Sequence, residues 1–71
     1  MNIKNILNSG QNILQQNKIS NAQLDAEILL SCSIKKDKKH IILNPNEILR
    51  TDQINKFNNL IERRKKGEPI A

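Results

Sequence analysis

The chain has 71 residues and a mass of 8.2 kDa, room for one small domain and not two, since domains centre near about 100–150 residues. Apolar residues make up 37%, nearly all Ile and Leu with one Phe and no Trp or Tyr, so the core is aliphatic and the aromatic platforms on which nucleic-acid bases stack are missing. Twelve Lys and Arg against seven Asp and Glu leave a net charge of +5, which suits an anionic partner or plain solubility.

In chain order, Ile3, Ile6, Leu7, Ile13 and Leu14 recur at helical spacing and predict an amphipathic first helix. Gly10 falls on its inner face, where it would let another helix approach closely or would simply weaken the helix by about 1 kcal/mol relative to Ala. Ser20 followed by Gln23 has the form of a capping box and predicts that a second helix begins there. At 100° per residue Leu24, Ala26, Ile28, Leu29, Leu30, Cys32 and Ile34 cover almost the whole circumference, so this helix is expected to be the buried hub.

Charge then interrupts the pattern from Lys35 to His40. Ile41, Ile42 and Leu43 predict a short third helix capped by Asp37 and stopped at Asn44-Pro45-Asn46. Glu47-Ile48-Leu49-Arg50 reads as a connector whose two aliphatic residues plug the core. Thr51, with Asp52 and Gln53 in the first turn, starts the last helix, which buries Ile54, Phe57, Leu60 and Ile61. Arg63-Arg64-Lys65-Lys66 suits the negative end of the helix dipole, Gly67 suits a left-handed C′ position, and Pro69 forbids continuation. The fold class is all-α, a small bundle of four or five short helices around the segment from Ser20 to Ser33.

Chemistry is sparse. No nucleophile stands beside a base, no glycine-rich loop could cradle a cofactor, and no His/Cys cluster is spaced for a metal, so catalytic, cofactor-binding and metal residues are all read as none. Cys32 has no partner for an internal disulfide and is either an inert core thiol or a reactive one. His40 reads as an ordinary helix residue. The apolar runs are far too short for a signal peptide or a membrane span, so a cytoplasmic, soluble chain is expected. The Lys35–His40 run admits a nucleic-acid-binding alternative, a basic module on ribosomal RNA or tRNA, but arginine and interleaved aromatics are absent from it. Asp25 and Glu27, flanked by apolar positions, need a cation or the surface. Arg64 lies on the inner face of the last helix and is the expected partner in a structural ion pair, suited to a bidentate contact; the bland alternative is three surface ions.

Leu24-Asp25-Ala26-Glu27-Ile28-Leu29-Leu30 and the ending Leu60-Ile61-Glu62-Arg63-Arg64-Lys65-Lys66-Gly67-Glu68-Pro69-Ile70-Ala71, at their mutual distance, resemble the N-terminal domain of the HemK/PrmC family. The likeness covers almost the whole chain, and its Arg-Arg-x-x-Gly-x-Pro-Ile ending is the specific part. Members are S-adenosylmethionine-dependent methyltransferases that modify the glutamine side-chain nitrogen in the Gly-Gly-Gln loop of class 1 peptide-chain release factors. The resemblance implies that residues 1–68 are a helical substrate-recognition domain and that residues 69–71 begin a linker to a Rossmann-like methyltransferase domain. It implies too that S-adenosylmethionine and the catalytic Asn-Pro-Pro-Tyr motif belong to that second domain; Asn44-Pro45-Asn46 is not that motif. The implied partners are class 1 release factors and the chain's own C-terminal methyltransferase domain, with no membrane. Contact with the release factor is expected from the outward cations Lys56, Arg63 and Lys66, with Arg50 beside them; the alternative is that these serve only solubility and the helix end.

Overall fold

A computed structural model describes residues 1–68; Pro69 and the expected linker at 69–71 lie outside the described residues. Four α-helices follow in order, α1 (Ile3–Gln16), α2 (Ala22–Ile34), α3 (Lys38–Leu43) and α4 (Thr51–Lys65). The architecture is all-α, as the periodicity predicts. Long helices α1, α2 and α4 pack against one another, and short α3 leans on α2. Their shared core is Ile3, Ile6, Leu14, Ala22, Ala26, Leu29, Leu30, Ile34, Ile41, Leu49, Phe57 and Ile61.

Helix α1 exposes how the ends of so small a bundle are held. Its N-terminal N–H groups have no intrahelical acceptor. The Asn2 side chain accepts from Asn5 at 2.9 Å, while the carbonyls of Glu47 and Pro45 accept from Ile3 and Lys4 at 2.9 and 3.0 Å. The connector thus caps α1, and a single antiparallel bridge between Asn2 and Ile48 holds it there. At the other end Lys18 takes a left-handed conformation at φ 62°. The N–H groups of Lys18 and Ile19 donate back to the carbonyls of Gln15 and Leu14, closing a Schellman motif.

That reversal corrects the expected start of α2. The chain is still turning at Ser20, and the helix begins at Ala22 with Asn21 as its N-cap and no side-chain capping bond. Its hub role holds on three sides, with Ala22, Asp25, Ala26, Glu27, Leu29, Leu30, Ser33 and Ile34 buried. The fourth side does not follow the expectation. Leu24, Ile28 and Cys32, four residues apart, form a stripe that faces outward, with Leu24 and Cys32 exposed, because α1, α3 and α4 cover only the other sides. Cys32 is therefore a surface thiol and not a core one.

Asp37 caps α3 as expected, accepting from the His40 N–H at 2.8 Å. Only Ile41 of that helix is buried; Ile42 and Leu43 are exposed. In the connector Leu49 plugs the core and Ile48 does not, since the bridge at Ile48 and the alternation of an extended backbone turn neighbouring side chains to opposite sides. Arg50 rather than Thr51 is the N-cap of α4, and its N–H donates to the Gln53 side chain at 2.9 Å. An arginine side chain has no acceptor, so only that half of a capping box can form. Gly67 sits at C′ with φ 94°, and the N–H groups of Gly67 and Glu68 return to the carbonyls of Arg64 and Arg63. This is a second Schellman motif, with the glycine where the sequence places it.

Candidate functional site

The cations carried by α4 and its two caps are displayed along a helix of 15 residues, about 22 Å at 1.5 Å per residue. Arg50, Lys56, Arg63 and Lys66 are all exposed. Two are already engaged. Arg50 Nε lies 3.2 Å from Asp52 Oδ1, and Arg63 donates to Glu68 Oε1 from Nη2 at 3.1 Å and from Nε at 3.2 Å. Hydrogen bonding to Glu68, and then its charge, hold the Arg63 guanidinium proton above its ordinary range. Lys56 and Lys66 make no ion pair among the described residues. Lys56 and Arg63 are seven residues apart and share a face.

About a quarter-turn round the same helix from Lys56 and Arg63, Arg64 turns inward. Its Nε donates to Asp25 Oδ2 at 3.0 Å, and its Nη1 donates to the Glu68 carbonyl at 3.2 Å. The expected bidentate fork is not formed: one nitrogen serves the carboxylate and another ties down the chain after α4. The expected trio is also divided. Asp25 and Arg64 meet, whereas Glu27 lies 3.5 Å from Lys38 Nζ and not against Arg64. Two positions along a helix turn a side chain by about 200°, so adjacent-but-one carboxylates on α2 face different neighbours. Nothing in the sequence singles out Lys38, which stands as one member of the charged run from Lys35 to His40.

The rest of that run is turn-making. Lys35 closes α2 in the left-handed region at φ 57°, and the Lys36 N–H donates to the Ser31 carbonyl at 3.2 Å. His40 Nε2 lies 2.8 Å from Glu47 Oε1, and the Asn44 side-chain amide donates to the His40 carbonyl at 2.9 Å, so this histidine fastens α3 to the connector. Among the described residues no group of three or more His, Cys, Asp and Glu could hold a metal, and no helix is long and apolar enough to cross a membrane.

A model of the PrmC N-terminal domain matches residues 5–71. The chain belongs to the PrmC N-terminal domain family. Relatives of this PrmC N-terminal domain include a bifunctional methyltransferase of Rickettsia felis, 41% identical over 97% of this chain and 13% of its own length. A release factor glutamine methyltransferase of Clostridium botulinum is 34% identical over 99% of this chain and 25% of its own. The corresponding protein of Buchnera aphidicola is 47% identical over 72% of this chain and 18% of its own. The chain thus spans a quarter or less of the length of these curated relatives. No solved structure matches it. The described residues do not fit S-adenosylmethionine. A glycine turn at the carboxyl edge of a strand is the usual nucleotide cradle, whereas Gly10 here is sealed against Phe57 and Gly67 ends a helix.

Proposed function

We propose that this domain is the substrate-recognition part of an S-adenosylmethionine-dependent methyltransferase that acts on the Gly-Gly-Gln glutamine of class 1 release factors in the cytoplasm. The family match over residues 5–71 carries this reading. The cofactor and the transfer chemistry belong to a following catalytic domain; the residues here bind and orient. Lys56 and Lys66, exposed and unpaired among the described residues, with Arg63 on the Lys56 face and Arg50 at the helix start, form the surface that meets acidic groups of the release factor. Exposed cations of this kind steer the encounter and set its register. Binding energy gained far from the reacting nitrogen then holds the glutamine loop in place at the catalytic domain. The Asp25–Arg64 pair serves this role indirectly, by fixing α4 on α2 so that the cationic face is presented rigidly.

The test is charge reversal in the full-length enzyme. Lys56→Glu with Arg63→Glu removes two exposed contacts worth about 0.2–1 kcal/mol each and adds repulsion, so kcat/KM for intact release factor falls about tenfold. Methylation of a short glutamine-loop peptide, which cannot reach this domain, is unchanged. Equal losses on both substrates refute the docking role.

A further inference from the structure

A groove of about 420 Å³ opens where the end of α1, the turn after it and the first turns of α2 meet Lys38. No α4 residue lines it, so it is separate from the cationic face. Its wall contains Glu27, whose side chain is only 10% exposed. Among the described residues no buried side-chain oxygen is left without a partner, so the Glu27 carboxylate is open to solvent or served by Lys38. Among the described residues Glu27 has one ion-pair partner, Lys38 Nζ at 3.5 Å, and that lysine is itself 50% exposed. Charge-assisted bonds run near about 2.7–2.9 Å, so Lys38 is a loose neighbour and not a seated one.

The other walls add acceptors and a little grease. The amide-bearing residues Gln11, Gln15, Asn21 and Gln23 line the groove together with Ile19 and Leu24, Leu24 being 44% exposed. A carboxylate, side-chain amides that can accept hydrogen bonds and the aliphatic Ile19 and Leu24 together match a planar head with five N–H donors on an apolar stem. We propose that this groove is a recognition site for an arginine side chain of a partner protein, which takes the Glu27 carboxylate in place of Lys38 and lays its methylenes on Leu24. The uncapped first turn of α2 at the rim would favour an anion, but an anion entering here would approach the negative charge of Glu27, which lines the same groove. The proposal does not rest on the release-factor reading: it needs only that the partner present a guanidinium, and it gives the domain a second contact of opposite sign.

The probe is N-acetyl-arginine methylamide titrated into the isotopically labelled 71-residue chain, followed by amide shifts, with the citrulline counterpart and inorganic phosphate as controls. The expected result is saturable shifts on Ala22, Leu24, Glu27 and Lys38 with the arginine probe only, lost in Glu27→Gln. Because Glu27→Gln disturbs a buried site, Lys38→Met is the deciding variant. Removing a competing cation tightens arginine binding by about two- to fivefold, the worth of one exposed ion pair, whereas a site for anions would be weakened. Shifts that are equal with citrulline, that appear with phosphate, or that weaken in Lys38→Met overturn the proposal.

Discussion

At the level of single residues the inner-face glycine of α1 is the sharpest feature. A Cβ placed on Gly10 would stand 2.5 and 2.8 Å from ring atoms of Phe57 and 3.1 Å from Ile61 Cδ1. Both neighbours are 1% exposed and locked in the core, so the ring has nowhere to swing. Of the two readings open to Gly10 in the sequence, close helix approach is the one that holds. Gly10→Ala gains about 1 kcal/mol in helix propensity but incurs overpacking of about 1–3 kcal/mol. The net expectation is a loss of about 1 kcal/mol in urea denaturation with the m-value unchanged; a gain would mean that α1 and α4 do not meet closely here. The Asp25–Arg64 pair is the other residue-level determinant. Arg64 keeps 24% of its side chain in solvent and Asp25 11%, so the pair falls well short of the about 3–5 kcal/mol that breaking a fully buried one would cost.

Among the elements, the way α1 and α4 end supplies a matched experiment. Both close in Schellman motifs, yet the left-handed residue is Lys18 in one and Gly67 in the other. A residue with a Cβ in this region costs about 1–2 kcal/mol that glycine avoids. Lys18→Gly should therefore raise stability by about 0.5–1 kcal/mol, the strain relief exceeding the added freedom of the unfolded chain, and Gly67→Ala should lower it by about 1 kcal/mol. Nothing lies within 4 Å of a Cβ at Gly67, so that loss is purely a backbone effect. Thermal melts showing the same sign for both would contradict the assigned helix ends. The pair also marks where sequence reasoning works. Gly67 was legible because glycine announces a left-handed position, and Asp37 because an acid before an apolar run is a cap. Lys18 announces nothing, so the reversal after α1 is invisible in the sequence, and Ser20 of the Ser-x-x-Gln pattern lies in that turn, one residue before the actual N-cap, Asn21. Likewise the apolar stripe of Leu24, Ile28 and Cys32 is indistinguishable in sequence from the core faces of α2; which side stays open depends on where three other helices lie.

For the molecule as a whole, the same dependence separates what was readable from what was not. Local periodicity carries the all-α class and most of the core, and narrows the helices to four or five, of which four form, because each helix must bury one stripe somewhere. It does not carry partner choice between distant side chains: the inward position of Arg64 points to Asp25, but nothing in the sequence assigns Glu27 to Lys38 rather than to Arg64. Stability across this assembly is uneven. A chain of this size buries only about 60% of its unfolded surface, and α3, six residues long with Ile41 as its one buried residue, is far below the about 12–15 residues at which a helix becomes even marginal alone. It is held by the Asp37 cap and the His40–Glu47 contact, with only the loose Glu27–Lys38 pair beside them, all at or near the surface. Helix α2, buried on three sides, has no such weakness. Native-state hydrogen exchange should therefore show Ile42 and Leu43 opening locally at least about 2 kcal/mol below the global unfolding free energy, while Leu29 and Leu30 exchange only when the whole chain unfolds. Because Lys38 lies in α3, that opening also frees Glu27, and substitutions that loosen α3 should make the groove beside α2 more accessible without moving the cations of α4. Equal protection in α3 and α2 would show a single cooperative unit and remove this independence between the two faces.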